Sequence, residues 1–205
     1  MNLSKLDEER RQALLNSALK EFAVKGYDDA STNTIAKNAC ISKALMFHYV
    51  HSKEELFLFL MDYCQEAIDR EYLSKMDFTE KDIFKKLRQS YLLQINLLKK
   101  NPWILDFNNL SDLTKSEQVN KSMKEKANQK EAICFETLFH AIDETKFKEI
   151  LNIDSCKQLI FWGNIGFTNQ LIEDMRSLEY KEVDYHGIIR KIDNYFADLM
   201  EVFYA

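Results

Sequence analysis

Four glycines and one proline in 205 residues leave too few turn formers for the repeated reversals of a sheet protein. No apolar run approaches the roughly 18 residues that would mark a membrane span. The N-terminal stretch MNLSKLDEERRQALL is charged and lacks the apolar core of a secretory signal, so a cytoplasmic chain with no membrane partner is expected. Cysteines are few and scattered, at 40, 64, 134 and 156, which excludes a close-spaced zinc motif and a dense disulfide framework and leaves buried free thiols as the expectation. There is no glycine-rich phosphate loop, no His-Glu helix motif and no close Cys/His cluster. His48 and His51 lie three apart, but no carboxylate or thiol partner accompanies them. No catalytic residue, metal ligand or cofactor is expected, and the chain does not read as an enzyme.

What is present favours helix. Hydrophobic residues make up 46% and aromatics 12% of the chain, enough to bury a sizeable core. Long stretches rich in Leu, Lys, Glu, Ala and Ile give an all-α reading. Charge is unevenly placed. The first 53 residues hold 8 Lys+Arg against 6 Asp+Glu, whereas the whole chain carries a net −5. Residues 30 to 53 contain Lys37, Lys43 and Lys53 with no Asp or Glu, while Asp28, Asp29, Glu54 and Glu55 stand just outside. An acidic total argues against general coating of nucleic acid; one small acid-free face suits a protein that meets phosphates at one place. A solvated basic face accounts for the same pattern by charge alone.

Periodicity places the elements. A first helix from about Leu6 to Lys25 carries the stripe Leu14, Leu15, Ala18, Leu19 and Phe22, and Gly26 stands where a left-handed terminating residue is wanted. Ser31 can cap a second helix with Ile35, Ala36 and Ala39 inward, and Ser42 a third over Lys43 to Tyr49. In the third, Met46 and Val50 face inward while Leu45, Phe47 and His48 lie nearer the exposed side. Two short helices joined by a tight turn form a helix-turn-helix, which can hold its second helix out for a DNA major groove. Ser52, with Glu55 three residues on, forms a capping box for a fourth helix through Leu56, Phe57, Leu60, Met61 and Cys64. Further along, Thr79 with Asp82 reads as the cap of a helix carrying Ile83, Leu87, Tyr91, Ile95 and Leu98 and ending at Asn101 before Pro102. Residues 116 to 142 read as one long helix, exposed at its start and buried at its end. Two broadly apolar helices close the chain, Cys156 to Met175 and Tyr185 to Phe203. They can satisfy each other within one chain or pair with a second copy.

Taken together, Ile35-Ala36-Lys37, Ala39, Ile41-Ser42-Lys43, His48-Tyr49 and Ser52-Lys53-Glu54-Glu55-Leu56 resemble the TetR family of bacterial transcriptional regulators, and Phe22, Gly26 and Tyr27 match the end of that family's first helix. The resemblance covers about residues 8 to 68. The rest agrees in length and helical character without a diagnostic motif. Four positions depart from the pattern: Cys40 and Ala44 replace glycines, Phe47 replaces a tyrosine and Val50 a phenylalanine. A non-glycine in a left-handed turn costs roughly 1 kcal/mol or somewhat more, which helix packing can absorb.

The resemblance implies an N-terminal three-helix head over residues 1–51 that binds DNA, and a helical effector-binding and dimerisation domain over 52–205. By it, Ser31, Thr32 and Asn33 meet phosphate or a base edge at the start of the second helix. Ser42 caps the recognition helix; Lys43, Ala44, Leu45 and His48 face bases; Tyr49 and Lys53 bind the backbone; and Phe47 lacks the hydroxyl of the usual tyrosine. It further implies a homodimer through the last two helices on a palindromic double-stranded operator, repressing until a small molecule shifts the heads. Aromatic and polar residues of the second half, Tyr91, Trp103, Phe107, Asn108, Cys134, Phe135, Phe139, Phe161 and Trp162, with Asn164, are the candidate lining for an apolar or aromatic effector, although such a set is also what an ordinary core contains. A rival reading, drawn from Cys40, Ala44 and Phe47, is a helical ligand-binding or protein-interaction module whose DNA head has decayed.

Overall fold

The structure, a computed structural model, describes residues 6–130, 135–177 and 183–205, the side chains of 127–130 excepted. Among the described residues the regular structure is helical, with one isolated antiparallel bridge between Phe147 and Tyr204. The chain divides into two compact units: the described residues of Met1–Ser74 with Asn96–Ala132, and those of Lys75–Ile95 with Ile133–Ala205. The fourth, sixth and seventh helices fall in the same compact unit as the first three.

In the first unit, α1 (Glu8–Asp29), α2 (Thr32–Asn38), α3 (Lys43–Val50) and α4 (Lys53–Glu71) follow one another closely. Each start has a local cause. Asp7, Ser31, Ser42 and Ser52 accept the backbone N–H three residues ahead, at 2.9, 3.3, 3.1 and 3.0 Å, which satisfies a donor the helix itself cannot. Leu14, Leu15, Ala18, Leu19 and Phe22 of α1 are all at most 2% exposed, and Ile35, Ala36, Met46, Val50, Leu56, Phe57 and Leu60 complete the core. Burying each large member contributes about 1.5–3 kcal/mol. Gly26 breaks α1 at the expected place. It adopts φ 70°, ψ 177°, a kink inside the helix that is essentially glycine-only, and a last turn follows it.

Later parts of this unit are α6 (Ile104–Asn108) and α7 (Glu117–Lys130). Phe107 packs its ring 5.0 Å from Phe57 and 6.2 Å from Phe22, which anchors α6 to the head. Asn101, 1% exposed, closes α5 (Ile83–Lys100) and accepts from Tyr63 at 2.7 Å.

In the second unit, residues 83–95 of α5, α8 (Phe135–Phe139), α9 (Ile153–Ser177) and α10 (Tyr185–Phe203) surround a core of Ile83, Leu87, Tyr91, Ile160, Ile192 and Phe196. The α5 cap is Asp82, not Thr79. Thr79 donates its own N–H and hydroxyl to Asp77, whereas Asp82 accepts from the amides of Phe84 and Lys85 at 3.0 and 3.3 Å. Burial pulls the Asp82 pKa up, but Lys146 at 2.7 Å, the Lys85 amide and the Tyr204 hydroxyl outweigh it and hold the carboxyl below its ordinary value. Lys86, with 0% exposure, donates to the carbonyls of Leu138 in α8 and His140 just past it. The single long helix expected over 116–142 is represented by α7 and α8, residues 131–134 lying outside the described residues.

Candidate nucleic-acid interface

The turn between α2 and α3 sets the geometry. The Cys40 amide donates to Lys37 O and the Ile41 amide to Ala36 O, both at 3.1 Å. Cys40 itself has φ 54°. This is a Schellman turn with a cysteine in the left-handed position that glycine usually fills. The Cys40 side chain is exposed, unlike buried Cys64 and Cys156, which corrects the expectation of buried thiols at this site: the αL backbone points it outward. Cys134 lies outside the described residues.

With the chain reversed, Ser42 starts α3 and Met46 and Val50, each 0% exposed, pin its inner face. The opposite face carries exposed Lys43, Ala44 and His48, with Leu45, Phe47 and Tyr49 half-buried. Lys43 Nζ lies 5.7 Å from the Phe47 ring centroid one turn on, and His48 meets Tyr49 edge-on at 5.1 Å. At the start of α2, Ser31 and Thr32 are half-buried and Asn33 exposed. The Ser31 amide donates to Glu21 at 2.9 Å, and Ser17 reaches across to Ile35 O at 2.9 Å, fixing α2 on α1.

Lys53 stands apart from this face. Its ammonium donates to the carbonyls of Asp28 and Ala30 at 2.8 and 2.9 Å and sits 5.0 Å over the Tyr27 ring. Two of its three donors thus tie the start of α4 to the end of α1. Two further contacts at this junction have no signature in the sequence. The Lys115 amide donates to both Asp28 carboxylate oxygens at 3.1 Å, and Ser116 donates to Glu54 at 2.6 Å. Burial, with Glu54 and Asp28 adding to it, pushes the Tyr27 phenol above its ordinary range.

The nine expected effector residues are divided between the two units, Cys134 lying outside the described residues. Trp103, Phe107 and Asn108 belong to α6 and its approach in the first unit, where Phe107 is core and Lys20 covers Trp103 at 5.6 Å. The second unit holds Tyr91, whose hydroxyl meets Thr168 at 2.8 Å and donates to Asn164 O at 3.2 Å. It also holds a chain of rings: Phe135 lies 4.8 Å from Phe139 and 5.2 Å from Phe161, and Phe161 lies 5.5 Å from Trp162. Trp162 is 67% exposed. A cavity of about 190 Å³ lies in the first unit beside Gly26, Phe57 and Met123, and one of about 410 Å³ in the second beside Leu171, Met175 and Ile188; none of the eight described members of the set lines either. Sequence periodicity carries no sign of the cavity in the first unit, which is lined from segments far apart in the chain.

Residues 14–60 match the family model of the bacterial regulatory proteins of the tetR family. Over 56 residues the chain is 41% identical to an uncharacterized HTH-type transcriptional regulator, YuxN, of Bacillus subtilis (strain 168); the match spans 27% of this chain and 19% of that relative. The fold is similar to a TetR family transcriptional regulator from Chloroflexus aurantiacus J-10-fl, with TM-score 0.61, 20% identity and coverage of 99% of this chain and 97% of that one. It is also similar to the ketosteroid transcriptional regulator KstR2 of Mycobacterium tuberculosis, with TM-score 0.60, 16% identity and coverage of 98% and 97%. AibR, solved with isovaleryl coenzyme A and operator DNA, gives TM-score 0.60 at 16% identity over 94% of this chain and 98% of that one. The matched segment runs from α1 into α4 and contains the whole reversed turn, and over these residues the chain is similar to the tetR family of bacterial regulatory proteins.

Proposed function

We propose that the chain is a sequence-specific DNA-binding transcriptional regulator, a homodimeric repressor released from a palindromic operator by a small apolar or aromatic effector. The observation that carries the DNA-binding part is α3: a capped helix, buried on one side at Met46 and Val50, that presents Lys43, Ala44 and His48 to solvent within a stretch free of Asp and Glu. Lys43 can donate to guanine edges, Ala44 can touch a thymine methyl, and Tyr49 can reach the backbone with Ser31, Thr32 and Asn33. Lys53 keeps one donor for phosphate, the other two being committed inside the head.

The pairing of two chains is supported by exposed apolar side chains on the last two helices: Leu159, Trp162 and Ile165 on α9, Met200 and Val202 on α10. Such residues on neighbouring faces mark an interaction surface, and a two-fold pair would set two recognition helices on successive turns of a duplex. The functional head is residues 1–51, with α4, α6 and α7 as the helices through which an effector would act on it. By linkage, a ligand that prefers the conformation with misplaced heads weakens operator binding by the ratio of its affinities for the two states. That AibR was solved with both a small molecule and operator DNA supports this pairing of roles in a protein of the same fold.

The test is selection of genomic fragments by the purified protein. An enriched inverted repeat, lost steeply as salt rises, is the expected result. Uniform retention of all fragments at moderate salt, or none, would defeat the proposal.

A further inference from the structure

We infer that Asn101, at the corner between α5 and α6, is a positioning residue for operator binding: its buried carboxamide sets the pose of α1 and α4, the helices that carry α2 and α3. The inference rests on the DNA-binding reading above and adds to it a residue outside the helix-turn-helix. Asn101 is 1% exposed, and its Oδ1 accepts from Gln12 Nε2 of α1 at 2.9 Å and from the Tyr63 hydroxyl of α4 at 2.7 Å. An amide oxygen has two lone pairs, so both are used. The preceding carbonyl, Lys100 O, accepts from Gln12 at 3.3 Å and from Asn16 at 3.2 Å, and the Lys20 ammonium lies 5.6 Å over the Trp103 ring. Gln12, Asn16 and Lys20 follow one another at i, i+4 spacing, so one stripe of α1 grips residues 100–103. The Asn101 carbonyl accepts the Ile104 amide at 3.1 Å as α6 begins. All these residues fall within the first compact unit.

What these bonds contribute is direction. Each joins neutral groups that water also satisfies in the unfolded chain, so their net hold on the fold is modest. Their geometry is narrow, however, and two donors that share one oxygen cannot move independently. Burial holds the Tyr63 phenol above its ordinary range, against the lowering effect of its hydrogen bonds to Gln12 and Asn101, so it remains a donor. From this anchor the two helices lead to the reading surface. α1 holds α2 through Ser17 on Ile35 O and Glu21 on the Ser31 amide, and α4 starts at the Ser52 cap, just past the end of α3. Nine residues separate Gln12 from Glu21 and ten separate Lys53 from Tyr63, spans of about 14 and 15 Å at the rise of an α-helix. A shift at Asn101 is therefore passed along both helices to α2 and to the α3–α4 junction. No charge is involved, so the effect on operator binding is geometric rather than electrostatic.

The test measures retention of the selected inverted repeat by the full chain across a salt series. Asn101→Ala removes the shared acceptor and should weaken retention at least fivefold; Tyr63→Phe, which keeps the ring and loses only the hydroxyl, should weaken it at least twofold. In both, the slope of log affinity against log salt should stay that of the original protein, because no phosphate contact is lost, whereas Lys43→Ala should reduce it. Circular dichroism melts establish that each variant is folded at the assay temperature. A residue that only stabilised the fold would shift the melt and leave retention by the folded protein unchanged. Should Asn101→Ala unfold, Tyr63→Phe alone reads the effect. Unchanged retention by either folded variant, or a slope reduced as in Lys43→Ala, would overturn the inference while the original protein's retention keeps the DNA-binding reading standing. No retention by the original protein would overturn both.

Discussion

Replacing Cys40 by glycine is expected to stabilise the protein. Cys40 occupies the left-handed position of the α2–α3 turn with φ 54°, and both hydrogen bonds of that turn, Cys40 N to Lys37 O and Ile41 N to Ala36 O, are formed around it. An L-residue there bears a steric penalty of roughly 1–2 kcal/mol between Cβ and the backbone. Glycine removes that penalty, while its freer unfolded chain takes back about 0.4–1 kcal/mol. No burial is lost, because the thiol is exposed. The net gain is about 0.5–1 kcal/mol, which for a chain of this length corresponds to a rise of about 1–4 °C in Tm. Urea denaturation followed by circular dichroism measures it, with Cys40→Ala as the control that keeps Cβ and should change nothing beyond a few tenths of a kcal/mol. A glycine variant no more stable than the alanine variant would refute the view that Cβ strain in this turn is what the chain bears for departing from glycine.

Other outcomes follow from the same geometry. Gly26→Ala places a side chain at φ 70°, ψ 177° and should destabilise the head by about 1–3 kcal/mol in chemical denaturation, although no neighbour crowds the new Cβ. Lys43→Ala and Lys53→Ala should separate two roles: the first weakens operator retention and its salt dependence with unfolding unchanged, while the second lowers stability by about 1–2 kcal/mol through the lost Asp28 and Ala30 carbonyl contacts. Equal effects of the two on stability would contradict that division. Asp82 has a folded pKa below its ordinary value, so its contribution is present above the usual carboxylate range and is lost as pH falls through the folded value. Thermal melts at decreasing pH should therefore show the second unit weakening below about pH 4, and Asp82→Asn should flatten that slope.

How much of this was legible in the sequence depends on how local each cause is. The serine caps at 31, 42 and 52 were readable because each acts on an amide three residues ahead. Thr79 and Asp82 show where local reading is ambiguous. Both are good caps, and the choice fell to Asp82 because Asp77 engages the Thr79 hydroxyl and because Lys146 and Tyr204, far along the chain, converge on Asp82. Aromatic residues were readable as buried or exposed by period, but not by neighbour: Phe107 reads equally well as pocket wall or core, and only the fold places it between Phe22 and Phe57. Lys53 reads as a phosphate ligand by resemblance, and no spacing rule reveals that two carbonyls more than 20 residues earlier also engage its ammonium.

The acid-free window joins the two kinds of information. Its existence is a property of the sequence, but its effect depends also on what nearby acids such as Glu21, Asp28 and Glu54 do. Glu21 faces the Ser31 amide, Asp28 receives the Lys115 amide on both oxygens, and Glu54 receives the Ser116 hydroxyl. Each of these three carboxylates is engaged with another part of the first unit and helps fix α2, α4 or the start of α7. A carboxylate that is held in this way does not reach toward an approaching phosphate, so the contacts that build the head also keep negative charge away from the face that Lys43 and His48 present. If that coupling holds, Glu54→Gln, which keeps an acceptor for Ser116, should leave folding intact and change operator affinity little, whereas an acid placed on the face itself, as in Ala44→Glu, should weaken retention at least tenfold without altering stability. A marked gain of retention in Glu54→Gln would show that the bordering acids repel the duplex after all.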